Sequence, residues 1–99
     1  NGRIFIDQGA KTALINGNSL LPAGIISAEG NFERGDAVVI CDDDNNEIAR
    51  GLSAYSIRDT LDIKGKSTPE IEKILGYRGR AALVHRDDLV ISDIGDYVD

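Results

Sequence analysis

Hydrophobic and polar residues alternate over short runs in the first half of the chain, and glycines separate the runs. Near the start, Ile4 and Ile6 fall on one face of a predicted strand and Phe5 falls on the other. Ala37–Cys41 is an almost continuously apolar strand, and Glu47–Leu52 follows it after a turn rich in Asp and Asn. Glycines between short alternating runs are typical of a small barrel whose strands bend sharply. The pattern therefore predicts a mainly β fold.

Three stretches between the predicted strands have the spacing or the end signals of short helices. In the second of them, Ile57 and Leu61 are four positions apart and share one helix face. In the third, Ser67 and Glu70 form a capping box, and Gly76 is a typical helix end. The predicted helices are Gly9–Ile15, Tyr55–Ile63 and the segment inside Ser67–Gly76.

The remaining segments predict further strands and one buried ring. Ile25–Glu29 follows a loop as the second strand, and Phe32 lies in a glycine-flanked turn that buries its ring against the core. Ala82–His85 and Leu89–Ile91 supply the final strand material, divided by three charged residues. The whole chain, 1–99, is thus predicted to be one domain with its core at 4–91 and an acidic tail, 92–99, that frays.

Length and charge limit what this domain can do. A chain of 99 residues can bury a single core but not a sizeable cleft as well. With 17 acidic and 11 basic residues, its formal net charge is -6. Such a surface repels polyanions, so nucleic-acid binding would need a local basic patch. We expect the function to depend on what the domain touches or is attached to.

The sequence also indicates a compartment and a larger parent. Cys41 is the single cysteine, which rules out an intrachain disulfide and makes a reducing cytoplasm the expected location. No run approaches the roughly 20 apolar residues of a membrane span, and no basic-then-apolar leader is present, so we expect no membrane partner. The chain lacks Met and begins at Asn1, which predicts that it is a fragment of a larger enzyme.

Two motifs imitate ligand-binding loops without completing them. Gly65-Lys66-Ser67-Thr68 resembles the end of a phosphate-binding loop, but Thr60 stands where that loop needs a glycine. Ser67 is better explained as a helix cap. We therefore predict no cofactor-binding residue in this chain.

The second imitation is of a calcium loop. Asp42, Asp44 and Asn46 have its opening spacing, but Glu47 replaces the required glycine and Ser53 replaces the bidentate acid. A solvated hairpin tip is the better interpretation, and no metal ligand is predicted.

Three further features have structural interpretations. In Arg34-Gly35-Asp36, known as an adhesion tripeptide, the last two residues initiate a strand. His85 is the single histidine and is expected to bond backbone or carboxylate at a strand end. Asp87-Asp88 would point to opposite faces of a strand, with Arg86 paired to one of them. No catalytic residue is predicted.

The basic residues leave two interpretations open. Lys11, Arg78, Arg80 and Arg86 would converge if the first helix packed beside the last strands, and Gly79 would let the backbone approach a phosphate. Alternatively, each of them balances a nearby acid.

Several longer runs resemble a known family. D-x-GA-x-x-AL at Asp7–Leu14, SLLPAGI at Ser19–Ile25 and G-x-F-x-x-GD at Gly30–Asp36 are similar to a PUA domain. The runs IARGLSAYS, EIEKILGY and VHRDDLVI, which begin at Ile48, Glu70 and Val84, resemble the carboxy-terminal PUA domain of bacterial glutamate 5-kinases. The resemblance covers about Ile4–Ile91 and is most specific at its end.

The resemblance implies a PUA-like β pseudobarrel with short flanking helices. It also implies a parent enzyme that transfers the γ-phosphate of ATP to the side chain of glutamate, the first committed step toward proline. An upstream kinase domain of the same chain would then hold glutamate, ATP and magnesium, and the parent is a candidate homo-oligomer. This fragment would be a non-catalytic accessory or regulatory domain.

The alternative implied by other PUA domains is an RNA-binding module of an RNA-modification protein. Such domains use the loop after the first helix and the last strand, which match Gly17–Gly24 and Leu83–Arg86 here. The candidate RNA or anion contacts are accordingly Lys11, Asn18, Ser19, Gly24, Arg78, Arg80 and Arg86.

Overall fold

The computed structural model of the chain describes residues 2–76 and 81–92. Within them, the elements in chain order are β1 (Gly2–Ile6), α1 (Gln8–Ile15), β2 (Ile25–Gly30), β3 (Ala37–Cys41), β4 (Glu47–Leu52), α2 (Ile57–Ile63), α3 (Thr68–Leu75) and β5 (Leu89–Ile91). Two single 3-10 turns, Pro22–Gly24 and Arg86–Asp88, precede β2 and β5. The mainly β prediction is confirmed, because the centre of the fold is one sheet with short helices around it.

The sheet is mixed and has the strand order β2-β1-β3-β4-β5. β1 and β3 are parallel, whereas the other three neighbouring pairs are antiparallel. At the centre of the sheet Ile4 lies opposite Ile40, and Ile40 lies opposite Ala49 on its other side. All three side chains are fully buried, so this row marks the core face of the sheet.

Each helix contributes one well-buried apolar side chain to that core, because each is too short to carry a long apolar stripe. Leu14 of α1 and Ile63 of α2 are completely buried, and Ile71 of α3 is nearly so. The predicted turn around Phe32 is confirmed as well, since its ring is buried. A side chain at position 2 would collide with that ring, so β1 can lie this close to Phe32 only with a glycine there.

The end signals predicted for the helices are present. Asp7 caps α1, its Oδ1 accepting the Ala10 amide at 2.8 Å, and Gly17 ends the following turn at φ 88°. The capping box of α3 is formed by Ser67 and Glu70. The Ser67 hydroxyl also donates to Glu70 Oε1 at 2.8 Å, and this contact lies on the surface.

Two sequence-based boundaries were wrong. The second helix begins at Ile57 rather than Tyr55, because the hydroxyl of Ser56 accepts the Asp59 amide and makes Ser56 the N-cap. Tyr55 is buried ahead of the helix, whereas Leu61 is 41% exposed. Of the predicted Ile57–Leu61 pair only Ile57 packs against the core, and the buried residues of the helix are Thr60 and Ile63.

The final strand is also shorter than predicted. Ala82–His85 contributes one isolated bridge, between Val84 and Leu20, and only Leu89–Ile91 joins the sheet. Residues 86–88 form a 3-10 turn rather than strand, and the predicted pairing of Arg86 with a neighbouring aspartate is absent from the ion pairs of the described residues. Of the expected acidic tail, residues 93–99 lie outside the described part of the chain.

Replacing the central side chain Ile40 by alanine should lower the free energy of unfolding by about 2–5 kcal/mol, because a cavity would form between three buried strands. Ile26→Ala is the matched control, since Ile26 lies on edge strand β2 and is 47% exposed. It should cost about 1 kcal/mol or less. Urea denaturation of both variants tests this prediction. An equal decrease in the free energy of unfolding for the two variants would mean that β3 is not the centre of the core.

Candidate ligand-binding face

Main-chain hydrogen bonds join the loop after α1 to the segment before the second 3-10 turn. The Leu20 amide donates to the Val84 carbonyl at 2.9 Å, and the Leu83 amide donates to the Leu20 carbonyl at 2.8 Å. The Arg86 amide donates to the Ser19 hydroxyl at 2.8 Å. The structure therefore brings together the two segments, Gly17–Gly24 and Leu83–Arg86, that the family resemblance singled out.

A cavity of about 470 Å³ opens beside this junction, between α1 and the loop that follows it. Its lining is mostly small and apolar, and one carboxylate in it, that of Asp7, is already engaged as the cap of α1. Gly24 allows the loop to pass close to the helix, because a Cβ there would lie 2.5 Å from the Ala10 Cβ. The lining residues are Asp7, Gly9, Ala10, Ala13, Asn18, Ser19, Leu21 and Gly24.

Lys11, although it lies on α1, is bound to the turn between β3 and β4. Its Nζ is 3.3 Å from Asp42 Oδ2, and the side chains are 28% and 7% exposed. An ion pair in which one partner is largely buried ties up the lysine charge. The interpretation that basic residues balance nearby acids therefore holds for Lys11, and it holds also for Arg50, which bonds Glu47 through two nitrogens at 2.9 and 3.0 Å.

Asp42 is the organising residue of that turn. The predicted solvated hairpin tip is present at residues 43–46, which are all exposed, whereas Asp42 at its base is buried. Its Oδ1 accepts the amides of Asp44 and Asn46, at 3.0 and 2.9 Å. The bond from the Asn46 amide is the main cause that lowers the pKa of Asp42, with Lys11 adding to the effect against the opposing effect of burial. Asn45 adopts a left-handed φ of 66°, as the Asp- and Asn-rich turn predicted.

The same turn contains a cluster of three carboxylates. Oxygens of Asp42, Asp43 and Asp44 lie within 4.8 Å of one another. Because the Asp42 carboxylate already accepts two backbone amides and the Lys11 ammonium, its lone pairs serve the turn itself. The geometry fits a structural role for the cluster.

The candidate contact residues thus separate into three groups. Asn18, Ser19 and Gly24 line the cavity, and Arg86 is attached to its rim through the backbone bond to Ser19. Lys11 is engaged by Asp42. Arg78 and Arg80 lie outside the described residues, so their predicted convergence with the others stays a prediction.

Sequence reasoning missed the apolar part of this face. Leu21 is 53% exposed and lines the cavity together with Ala10 and Ala13. The signal was present in the run Leu20-Leu21, where adjacent leucines in a short extended segment point in opposite directions, one inward and one outward. The structure shows this division, since Leu20 is 1% exposed.

Comparison with known proteins gives the family. A family model described as PUA domain matches residues 2–75, which is most of the chain, so this chain belongs to the PUA domain family. A crystal structure of a PUA domain from Aeropyrum pernix has a TM-score of 0.60 at 26% identity, over 84% of this chain and 41% of that one. A chain of an archaeal box H/ACA ribonucleoprotein complex has a TM-score of 0.60 at 22% identity, over 87% and 25%, which shows the shared fold alone.

The relatives found by sequence have a higher sequence identity to this chain than the two solved structures. Glutamate 5-kinase 1 of Mesorhizobium japonicum is 54% identical over 94 residues, which make up 95% of this chain and 25% of that enzyme. The chain therefore spans about a quarter of the length of the curated relatives that it matches. It is homologous to the PUA domain of glutamate 5-kinases, as the runs at Ile48, Glu70 and Val84 indicated. Among the described helices, none has the length and apolar character needed to cross a membrane.

The lowered pKa of Asp42 predicts how stability changes with pH. An aspartate whose pKa is lower in the folded than in the unfolded chain contributes stability that is complete above the unfolded pKa, about 3.9, and is lost as pH falls through the folded value. Asp42→Asn should therefore destabilise the domain at neutral pH, and its difference from the natural protein should shrink below about pH 4.

Asp43→Asn is the matched control for this measurement, because Asp43 lies next to Asp42 on the same turn and is exposed. Unfolding free energies of the three proteins, measured by urea denaturation from pH 7 to pH 3, supply the test. If the free energy of unfolding of Asp42→Asn stayed below that of the natural protein by a constant amount over this range, the role assigned to the Asp42 charge would be contradicted.

Proposed function

We propose that this PUA domain is a non-catalytic accessory domain of a glutamate 5-kinase, which makes glutamyl 5-phosphate in proline biosynthesis. The proposal is carried by sequence identity. More than half of the aligned residues are identical to several such enzymes, over nearly the whole of this chain and about a quarter of each enzyme. The archaeal structures match the chain at only 26% and 22% identity, so the kinases are much closer to it in sequence.

Local structure supports a non-catalytic role. Three side chains that the sequence analysis weighed for phosphate, metal or histidine chemistry have structural partners. Ser67, from the imitation of a phosphate loop, caps α3 through Glu70. His85 accepts the Asp87 amide through Nδ1 at 3.1 Å, as expected for a structural histidine. Asp42 is held by its own turn.

In the parent enzyme, the upstream kinase domain of the same chain would bind glutamate, ATP and magnesium and would carry out phosphoryl transfer in the cytoplasm. The PUA domain would contribute to the assembly of the homo-oligomer or to regulation of the kinase domain. Deleting the domain from the full-length enzyme separates these roles, because loss of assembly changes the sedimentation of the enzyme whereas loss of regulation changes only its kinetics.

The isolated chain should show no kinase activity. Assayed with glutamate, ATP and magnesium, it should form acyl phosphate at the rate of a blank without protein, because its candidate catalytic groups are structurally engaged. The full-length enzyme of Mesorhizobium japonicum is the positive control. Turnover by the isolated chain above the blank would overturn the non-catalytic assignment.

RNA binding is the second candidate, and one observation favours it. Asn18, Ser19 and Gly24 form one cavity wall next to Arg86, where PUA domains that bind RNA would place their contacts. Against it, Asp42 engages the Lys11 charge, and the net charge of -6 opposes a polyanion. Because phosphate contacts supply most of the non-specific affinity, the balance favours the accessory role.

We therefore expect no micromolar binding of structured tRNA at near-physiological salt. If binding is found, Arg78→Ala combined with Arg80→Ala should lower the salt dependence by about two counterions, provided that these arginines meet phosphates. The pair Arg58→Ala and Lys66→Ala removes the same charge from exposed positions in and after α2 and is the control. Micromolar binding that the first pair abolishes and the second retains would establish the RNA interpretation instead.

A further inference from the structure

A second cavity, of about 450 Å³, is lined by residues of the turn before β3, of the end of β4 and of the segment before β5, and it shares no lining residue with the first. It contains three residues that the sequence analysis singled out: Arg34 of the adhesion-like tripeptide, the single histidine His85, and Asp88. The residues that line it are Arg34, Gly35, Leu52, Ser53, Ala54, His85 and Asp88.

One wall of this cavity is fixed by short backbone hydrogen bonds. The Gly35 amide donates to the Ser53 carbonyl at 2.7 Å, and the Ser53 amide donates to the Asp36 carbonyl at 2.9 Å. On the next residue, the Ala54 amide donates to the Leu83 carbonyl at 2.7 Å. The Ser53 side chain is buried and bonds the backbone of Tyr55. The turn carrying Arg34 is thereby held against the end of β4.

The other part of the lining is His85 and Asp88, at the start and the end of the second 3-10 turn. The Asp88 amide donates to the His85 carbonyl at 2.8 Å, and β4 packs directly on this turn. A Cβ on Gly51 would lie 2.8 Å from the Asp88 carbonyl and 2.5 Å from Val84 Cγ1. Because neither wall can move without breaking these contacts, the cavity exists before any ligand arrives, which lowers the entropic cost of binding.

The cavity holds opposite charges that do not neutralise each other. Arg34 and Asp88 both line it, yet among the described residues neither side chain takes part in an ion pair. The histidine adds a directed donor. Its Nδ1 accepts the Asp87 amide, so in the neutral ring the proton is on Nε2, which is left as a donor.

We propose that this cavity binds the zwitterionic main-chain atoms of a free α-amino acid. The guanidinium of Arg34, with the His85 Nε2–H, is suited to the α-carboxylate, and the Asp88 carboxylate is suited to the α-ammonium group. A phosphate or simple carboxylate would meet repulsion from Asp88, and a simple amine would meet repulsion from Arg34. A ligand that carries both charges satisfies the two residues at once.

The cavity also indicates the kind of side chain. Leu52 is 45% exposed and lines the same space, which favours a short apolar side chain over a charged one. The volume lies within the range of small-molecule sites. Because the charged groups are exposed to solvent, each contact is weak, and we expect a dissociation constant in the millimolar range. The inference does not depend on whether the parent enzyme is a glutamate 5-kinase.

The test is an amide NMR titration of the 99-residue chain with L-valine, and in parallel with isovalerate and isobutylamine, which each lack one of its two charges. We expect saturable shifts of the amides of Gly35, Ser53 and Ala54 with L-valine, and much smaller, non-saturating shifts with the two analogues. Arg34→Gln and Asp88→Asn should each weaken L-valine binding by about tenfold or more.

Arg58→Gln and Asp62→Asn are the matched controls, because they make the same charge changes at exposed positions of α2. They should bind L-valine as the natural chain does. The amide spectra also report whether each variant is folded. Saturation by isovalerate as strong as that by L-valine would show a simple anion site and overturn the proposal. Absence of saturation by about 50 mM L-valine, or equal effects of the cavity and control substitutions, would overturn it as well.

Discussion

Parallel pairing of β1 with β3 is the constraint on which the rest of this structure depends. The pairing places Ile4 beside Ile40 in the middle of the sheet, with Ala49 beyond. Parallel neighbours cannot be joined by a hairpin, so the chain must cross over between their ends. That crossover, residues 7–36, contains α1, the loop that lines the first cavity, β2 and the buried Phe32. The candidate ligand-binding face is therefore built from the connection that the central pairing requires.

The fold could be predicted from the sequence wherever the signal was local. The alternation of Ile4, Phe5 and Ile6, the apolar run of β3 and the capping box of α3 each depend on spacings of a few residues, and each is present in the structure. The prediction failed where helical spacing alone did not determine which face of the helix is buried. Ile57 and Leu61 have helical spacing, but only Ile57 packs against the core, because the helix turns Thr60 and Ile63 inward and leaves Leu61 exposed.

The candidate site was harder to predict, because its contacts join distant parts of the chain. Nothing in the spacing of the first helix shows that Lys11 pairs with Asp42, and nothing near Asp42 shows that it is buried. The family resemblance correctly indicated which two segments would meet, since Ser19 and Arg86 are bonded. Periodicity alone does not reveal a contact between residues 67 positions apart.

The bridge between Leu20 and Val84 has a consequence for the order in which the domain is completed. Val84 lies near the end of the described chain, whereas the sheet strands β1 to β4 end at Leu52. During synthesis, those four strands can therefore pair before the bridge exists, and the second cavity lacks His85 and Asp88 until residues 83–88 have left the ribosome. A chain shortened to end before Val84 would keep β1 to β4 but would lose β5, the His85 and Asp88 side of the second cavity, and the backbone contacts that hold the loop beside the first. The second cavity is thus completed only after the four strands β1 to β4 have been made, and it depends on a segment that a shortened chain would lack.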